Sequence, residues 1–431
     1  MENTKKNNPW KSEDEGSHYP IMREWWTFET IFKTLKDQKK WNLMVIMAYN
    51  LETPACFYQI ALFDITSKKC VFRRDIDDNI KEFKHKKNKI DLRYKKNTAK
   101  GTYPNYILHF EDKEKKFKTD IKYEAEALPH WISQDITNGE IPIGLNFYKY
   151  GYIPNNKITG NMELENKKYS IEGKGYLEHI WGEWSYQSPL KKASDIKKTL
   201  RTYINLGKWW IASHKPKIPK KIAFTTENNI FGYDWAWGVF DNNWSLFYGN
   251  ILFWLCSGPA FGYLSITPDG KKYWDFSDID FYYNKYIYVK DYDIYFPSDF
   301  FIKARLNKKK INLRFYLDSN SYEYIDPFKK EGFYKAFILS EMPGKMKGYY
   351  SDSKQKIRLE GDCKMMPLRQ PSSLGHNKLE IKFIKPPKGI GLDIDFNSHY
   401  LKKRIKTKIK LAKKPYIKFK SNKIKKKDFE F

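Results

Sequence analysis

Three short stretches set single acids and one histidine among tryptophans and tyrosines: "REWWTFET" (23–30), "GYLEHIWGEW" (175–184) and "GYDWAWGVFD" (232–241). A carboxylic acid held among aromatic rings loses hydration, which disfavours its charged form and keeps it protonated near neutral pH. Such an acid can give a proton to an otherwise inert substrate. Alternation along a strand puts His179, Trp181 and Glu183 on one face and Glu178, Ile180 and Gly182 on the other. By the same rule Asp234 shares a face with Ala236 and Gly238, while Tyr233, Trp235 and Trp237 line the opposite one. Plain structural roles compete with chemistry at each position. Trp25, Trp26 and Trp184 can be core, His179 can hydrogen-bond inside a barrel mouth, and Asp234 can pair with one of the many lysines, because an unpaired buried carboxylate costs stability.

Other catalytic signatures are missing. There is no Walker loop, dinucleotide fingerprint, HExxH or GxSxG, and no two of the eight histidines share a metal-ligand spacing, so neither a metal nor a cofactor is expected. Cysteines 56, 70, 256 and 363 form no CxxC pair and read as reduced core thiols of a cytoplasmic protein. The start, "MENTKKNNPWKSEDEG", has no apolar run after its charges, and no signal peptide is expected.

The elements that must hold these residues are strands. Phe, Tyr and Trp make up 17% of the chain, and short alternating runs such as "WNLMVIMAYN", "ACFYQIALFDI", "NYILHFED" and "FKTDIKYEAEAL" follow one another with turns between them. The style repeats from about 230 with "WSLFYGNILFWL", "YIYVKDYDIYF" and "FFIKARLNKKKINLRFYL", which implies an all-β protein of two successive antiparallel sandwich or barrel units. The boundaries read as 17–187 for the first domain, 188–229 for a basic helical insert, 230–370 for the second domain and 371–431 for a basic extension. In the insert, Ser194 can cap a helix whose Ile196, Leu200, Tyr203 and Ile204 share a face, with Lys197, Lys198 and Arg201 elsewhere and the Trp209–Trp210 pair following. Such a helix suits either an anionic membrane surface or packing on its own barrel. Residues 242–268 lack charge over a length that could span a bilayer, but "SGP" and Asn250 break the run, which reads better as two paired strands.

The net charge of +28 predicts attraction to something anionic. Residues 401–431 hold fourteen basic against two acidic residues, +12 of that total, and "PYIKFK" could form a strand there. No nucleic-acid reader accompanies the charge: no RNP-like segment, zinc finger or helix-turn-helix is found, so no specific nucleic acid is expected.

"REWW", followed about 150 residues later by "GYLEHIWG" and then by a "YDWAW" strand opening a second β unit, resembles the carotenoid hydratase (hydroxyneurosporene synthase) and AttH-like family. "YLSITPDGKKYWDF", "YFPSDFFIKA" and "GFYKAFILSEMPGKMKGYY" extend the likeness over roughly residues 17–370. The resemblance implies two tandem lipocalin-like domains and cofactor-independent, acid-catalysed addition of water to an isoprenoid double bond, in a carotenoid or polyprenyl lipid. It implies Asp234 as proton donor, Tyr233 as its orienting neighbour, His179 as the group that places water or takes back a proton, and Trp181 as a wall for the cation. Trp25, Trp26, Glu183, Trp235 and Trp237 would line the substrate, with cation–ring attraction steadying the carbocation. The sequence departs from the family pattern at Glu178, where an Asp is usual, in the basic insert, and in the closing "GKMKGYYSD" strand. A non-catalytic lipocalin-like carrier of an apolar ligand is the alternative. Either protein would collect its ligand at a bilayer, which fits a cytoplasmic chain, peripheral at the inner membrane face, with lysines drawn to an anionic surface.

Overall fold

The computed structural model describes residues 10–143, 145–184, 196–214, 221–225, 232–254, 259–276, 278–292, 294–317, 323–327, 336–369, 377–384, 389–411 and 416–423. The first strands are β1 (Arg23–Thr34), β2 (Lys40–Asn50), β3 (Ala55–Asp64), β4 (Lys69–Asn79), β5 (Phe83–Lys84), β6 (Ile90–Tyr94) and β7 (Asn97–Thr102). Then follow β8 (Asn105–Asp112), β9 (Phe117–Ala125), β10 (His130–Trp131), helix α1 (Gln134–Thr137), β11 (Glu140–Ile143), β12 (Asn146–Leu164), β13 (Lys167–Gly182), helix α2 (Ile196–His214) and β14 (Lys221–Thr225). The second half contributes β15 (Tyr233–Phe240), β16 (Ser245–Trp254), β17 (Pro259–Thr267), β18 (Trp274–Phe276), β19 (Asp278–Val289), β20 (Ile294–Leu306), β21 (Lys309–Leu317), β22 (Glu323–Pro327) and β23 (Ala336–Ser340). The last strands are β24 (Met342–Ser351), β25 (Lys356–Arg369), β26 (Asn377–Ile384), β27 (Gly391–Ser398), β28 (Lys403–Lys410) and β29 (Tyr416–Lys423).

The protein is all-β, with two nearly closed antiparallel barrel-like sheets, the tandem lipocalin-like arrangement. The first sheet runs β4-β3-β2-β1-β13-β12-β9-β8-β7-β6-β5, with β10 and β11 added to β12; the second runs β18-β17-β16-β15-β25-β24-β21-β20-β19. By contacts the chain divides into two compact units. Unit 1 is 1–213 with 237–246 and 265–275; unit 2 is 214–236, 247–264 and 276–431. Alternation drives most strands. In β9, Phe117, Thr119, Ile121 and Tyr123 are buried while Lys118, Asp120, Lys122 and Glu124 are exposed, which fits a sheet with one dry face. β1 and the second half of β13 break this pattern by being buried on both faces.

The core of unit 1 gathers Trp26, Phe28, Phe32, Val45, Met47, Ile60, Tyr123, Ile153 and Leu177 on the inner side of its sheet. Two glycines permit close approaches: a Cβ on Gly175 would meet Ile158 and Tyr123 at 2.6 Å, and one on Gly151 would meet the Trp10 ring at 2.0 Å. The contact at Gly151 seats the Trp10 ring against the first sheet.

Within the uncharged run at 242–268, Ser245–Trp254 and Pro259–Thr267 are the neighbouring strands β16 and β17, with 255–258 outside the described residues, and among the described residues no helix is long and apolar enough to cross a membrane. Cys56 and Cys363 are buried thiols outside any disulfide, Cys70 is half-buried, and Cys256 lies outside the described residues. The "PYIKFK" strand is present as β29, at the edge of a separate sheet, β14-β26-β27-β28-β29, that the basic composition of the tail did not foretell. In it Ile405, Thr407 and Ile409 face the same side as their partners Ser421, Phe419 and Ile417, and lysines fill the other side. The helix expected in the insert is α2, while its cap, Ser194, lies outside the described residues.

Candidate functional site

Strand register decides which aromatic and acidic residues meet. β1 and β13 pair antiparallel with Trp26 opposite His179, Glu24 opposite Trp181 and Thr27 opposite Glu178. Directly opposed residues share a face, so Glu24, Trp26, His179 and Trp181 stand on the inner, core side, and Thr27 and Glu178 on the other. The expected alternation of His179 and Trp181 against Glu178 is present, but β13 ends at Gly182, so Glu183 lies in the bend beyond the strand and not on that face.

On the face away from the core, Glu178 is buried in a nest of hydrogen-bond donors. Its Oε1 accepts from Thr27 Oγ1 at 2.9 Å and Trp25 Nε1 at 3.3 Å; its Oε2 accepts from Tyr176 at 2.9 Å and from Tyr150. The two tyrosine hydroxyls are 3.2 Å apart. Tyr152 stacks on Tyr176 at 6.1 Å, and the Trp237 ring lies 5.7 Å from Tyr176, its Nε1 donating to Pro154 O at 2.6 Å. Burial pushes the Glu178 carboxyl above the usual carboxylate range, with the hydrogen bonds from Tyr150, Thr27, Tyr176 and Trp25 opposing it. Burial and the neighbouring Glu178 hold Tyr150 and Tyr176 well above the ordinary phenol value, so both remain donors.

On the inner face, Glu24 accepts from Ser17 Oγ at 2.8 Å and from the His18 backbone N–H at 2.9 Å, while His179 Nε2 and His18 Nδ1 lie 2.9 and 3.0 Å from its Oε1. These partners outweigh its burial and hold the carboxyl down to about 2. Burial, opposed by Glu24, lowers the His179 imidazole below its ordinary value. Trp26 stacks on His179 at 4.4 Å and Trp181 on His18 at 3.9 Å. His18, Glu24 and His179 have ligand-capable atoms within 4.8 Å of one another, although 161 residues separate the histidines. Sequence spacing alone gave no hint of that cluster.

Asp234 belongs to unit 2. It is fully buried, with Arg369 Nη1 2.8 Å from its Oδ1 and the Tyr283 hydroxyl donating to its Oδ2. Arg369 also donates to the backbone oxygens of Tyr233 and Tyr295 at 3.1 and 3.2 Å. The expected lone acid among aromatic rings is therefore an ion pair, with arginine in place of lysine. Tyr233 supplies Arg369 with a carbonyl, and Trp235 packs edge-on to Phe247 at 6.3 Å. Of the other expected lining residues, Trp26 is core and Trp25 sits edge-on to Trp184 at 5.4 Å while donating to Glu178.

The sequence does not single out Glu24, and the family resemblance points to Asp234 and not to Glu178 as the proton donor. The tyrosines of "KYGYIP" (149–154) and "GKGYLE" (173–178) were the available signal for the nest, since alternation sends Tyr150, Tyr152, Tyr176 and Glu178 to one side. Nothing local pointed to Arg369 or His18.

Helix α2 turns its apolar stripe outwards. Ile196, Leu200, Tyr203 and Ile204 are between 42 and 55% exposed, while Thr199 and Thr202 are buried. Thr199 Oγ1 donates to Leu145 O at 3.1 Å and Lys198 pairs with Glu140 at 2.8 Å, so the helix docks through its threonine side.

No known sequence family matches the chain, and no characterised protein matches it by sequence. Solved structures do. An AttH-like protein of Nitrosomonas europaea aligns with a TM-score of 0.56 at 13% identity, over 82% of this chain and 95% of the other. Kievitone hydratase of Nectria haematococca aligns with a TM-score of 0.53 at 11% identity, over 84% and 94%. At these identities the likeness shows the fold: this chain has the tandem lipocalin-like architecture in which an AttH-like protein and a hydratase are built.

Proposed function

We propose that the protein is a hydratase-like enzyme that adds water across an isoprenoid double bond by acid catalysis, with Glu178 as the acid. The observation that supports it is the Glu178 nest: a fully buried carboxyl pushed towards its protonated form and walled by Tyr150, Tyr176 and Trp25. In the reaction the Glu178 O–H bond breaks and its proton forms a C–H bond at the less substituted alkene carbon. Ring faces steady the tertiary cation, water adds to it through oxygen, and the surplus proton returns to the Glu178 carboxylate through a tyrosine hydroxyl. Atoms and charge balance, the acid is regenerated, and no redox partner is needed.

The apolar substrate implies an anionic membrane as partner. Support comes from α2, whose exposed apolar stripe is flanked on the helix by exposed Lys197, Arg201 and Lys208, the composition of a helix lying in a lipid interface. Changing Ile196, Leu200 and Ile204 together to Ser is expected to weaken binding to vesicles of acidic lipid at least tenfold, and salt to weaken it further.

The test of the catalytic reading is hydration of a polyprenyl or carotenoid alkene, followed by mass spectrometry, with whatever apolar lipid co-purifies as the first substrate tried. Glu178→Gln is expected to abolish a hydration that the wild type performs. Equal turnover in the variant overturns the assignment. The Asp234–Arg369 ion pair favours a second reading, a carrier, because it removes the free acid expected at Asp234; tight lipid binding without turnover in the wild type would establish it.

A further inference from the structure

We propose that His18 Nδ1, Glu24 Oε1 and His179 Nε2 form a binding site for a divalent transition-metal ion on the inner face of unit 1, where it ties the N-terminal segment to β1 and β13. The argument begins with donors and acceptors. His179 Nδ1 lies 2.7 Å from the backbone oxygen of Asp14, so it carries the ring proton, and in a neutral ring Nε2 then turns its lone pair on Glu24 Oε1 at 2.9 Å. Two acceptors at that separation repel unless a proton or a metal cation lies between them. A ring nitrogen held by a carbonyl on one side and offering its lone pair on the other is the usual posture of a metal-ligating histidine.

The geometry suits the chemistry. Glu24 Oε1 stands 2.9 Å from one histidine nitrogen and 3.0 Å from the other. At ligand bonds of about 2.1 Å such separations subtend about 90°, the angle between neighbouring ligands on one face of an octahedron, and two histidines with one carboxylate suit zinc or a non-haem iron-type ion. Both rings are fixed by stacking, His179 on Trp26 and His18 on Trp181. Ser17 Oγ orients the second carboxylate oxygen.

Tyr49 is the cross-strand partner of Glu24, so it stands on the same face, and it is 1% exposed. Its hydroxyl neighbours the Glu24 carboxylate and Ser17, so the cluster is walled on that side by a buried phenol. The site lies on the strand face opposite Glu178 and is read by binding, so it stands or falls separately from the hydration chemistry.

The test uses the full chain, stripped with chelator and titrated with Zn2+ by calorimetry and with Co2+ by visible absorption. One equivalent should bind with micromolar or tighter affinity, and Mg2+ should not compete. Glu24→Gln should weaken Zn2+ binding about 100-fold and His18→Ala at least tenfold, with circular dichroism showing both folded; His18 precedes β1, which makes its loss the gentler change. His109→Ala, which alters a surface histidine beside Asp120, should leave affinity unchanged. The proposal is overturned if no stoichiometric ion binds, if folded His18→Ala retains full affinity, or if His109→Ala lowers it as much as the cluster variants do.

Discussion

Glu178 in unit 1 and Asp234 in unit 2 are both carboxyls removed from water on strands rich in aromatic residues, yet their surroundings differ in kind. Glu178 is met by neutral donors: two tyrosines, a threonine and an indole N–H. Asp234 is met by a guanidinium and a phenol. Neutral donors satisfy an acid without supplying a full positive charge, so desolvation outweighs them and the Glu178 carboxyl is raised. A buried arginine ties the Asp234 carboxyl into an ion pair, and removing either partner strands a charge in a dry interior. An aromatic flank in sequence does not separate these cases; the identity of one distant residue does.

The sharpest way to break the comparison is catalytic. Glu178→Gln should lower hydration by at least about 100-fold while the protein stays folded, whereas Asp234→Asn should act mainly on stability. Loss of turnover in a stable, folded Asp234→Asn with an active Glu178→Gln reverses the roles. Next in size is the ion pair itself. Arg369→Met should destabilise by about 3–5 kcal/mol in urea titrations, and adding Asp234→Asn should recover part of that loss, because the stranded charge is removed with its partner. Additive losses in the double variant would mean that the two groups do not act as a pair.

The acid limb of the stability profile gives a smaller and oppositely signed pair of effects. Glu24 has a folded value of about 2 against an ordinary 4.5, so it contributes stability that is present above pH 4.5 and lost as pH falls towards 2, about 3 kcal/mol in all. Glu178, raised by burial, has the reverse sign: its contribution is present below pH 4.5 and lost as pH rises through its folded value. Glu24→Gln should therefore flatten acid unfolding, and Glu178→Gln should leave the protein as stable or more stable at neutral pH. A common sign for the two variants at pH 7 would contradict the assignment. Smallest are single hydrogen bonds: Tyr283→Phe, which removes a donor from the ion-paired Asp234, should cost about 1.5–3 kcal/mol, and Tyr176→Phe about 1 kcal/mol, since bonds to charged groups are the stronger kind.

Much of the architecture was legible in the sequence, for a local reason. A strand's burial has period two, and runs such as "FKTDIKYEA" display it directly, so two successive β units and the pair of strands in 242–268 could be read without any knowledge of neighbours. The amphipathic helix at 196–204 was equally plain, but the side on which it docks was not. Its polar threonines face the protein and its isoleucines face out, a choice that depends on Leu145 and Glu140 at the far end of the first sheet's sequence.

Amino-acid order by itself therefore determined which residues lie on strands and which of them share a face. Tertiary structure decided which faces are covered and by what. β1 meets β13 across about 150 residues, and that register sets Trp26 against His179 and Thr27 against Glu178. In unit 2 the neighbouring strands β15 and β25 bring Asp234 and Arg369 together. Side-chain alternation follows from backbone geometry at each residue, whereas the charge state of a buried acid follows from whichever distant groups exclude water from it.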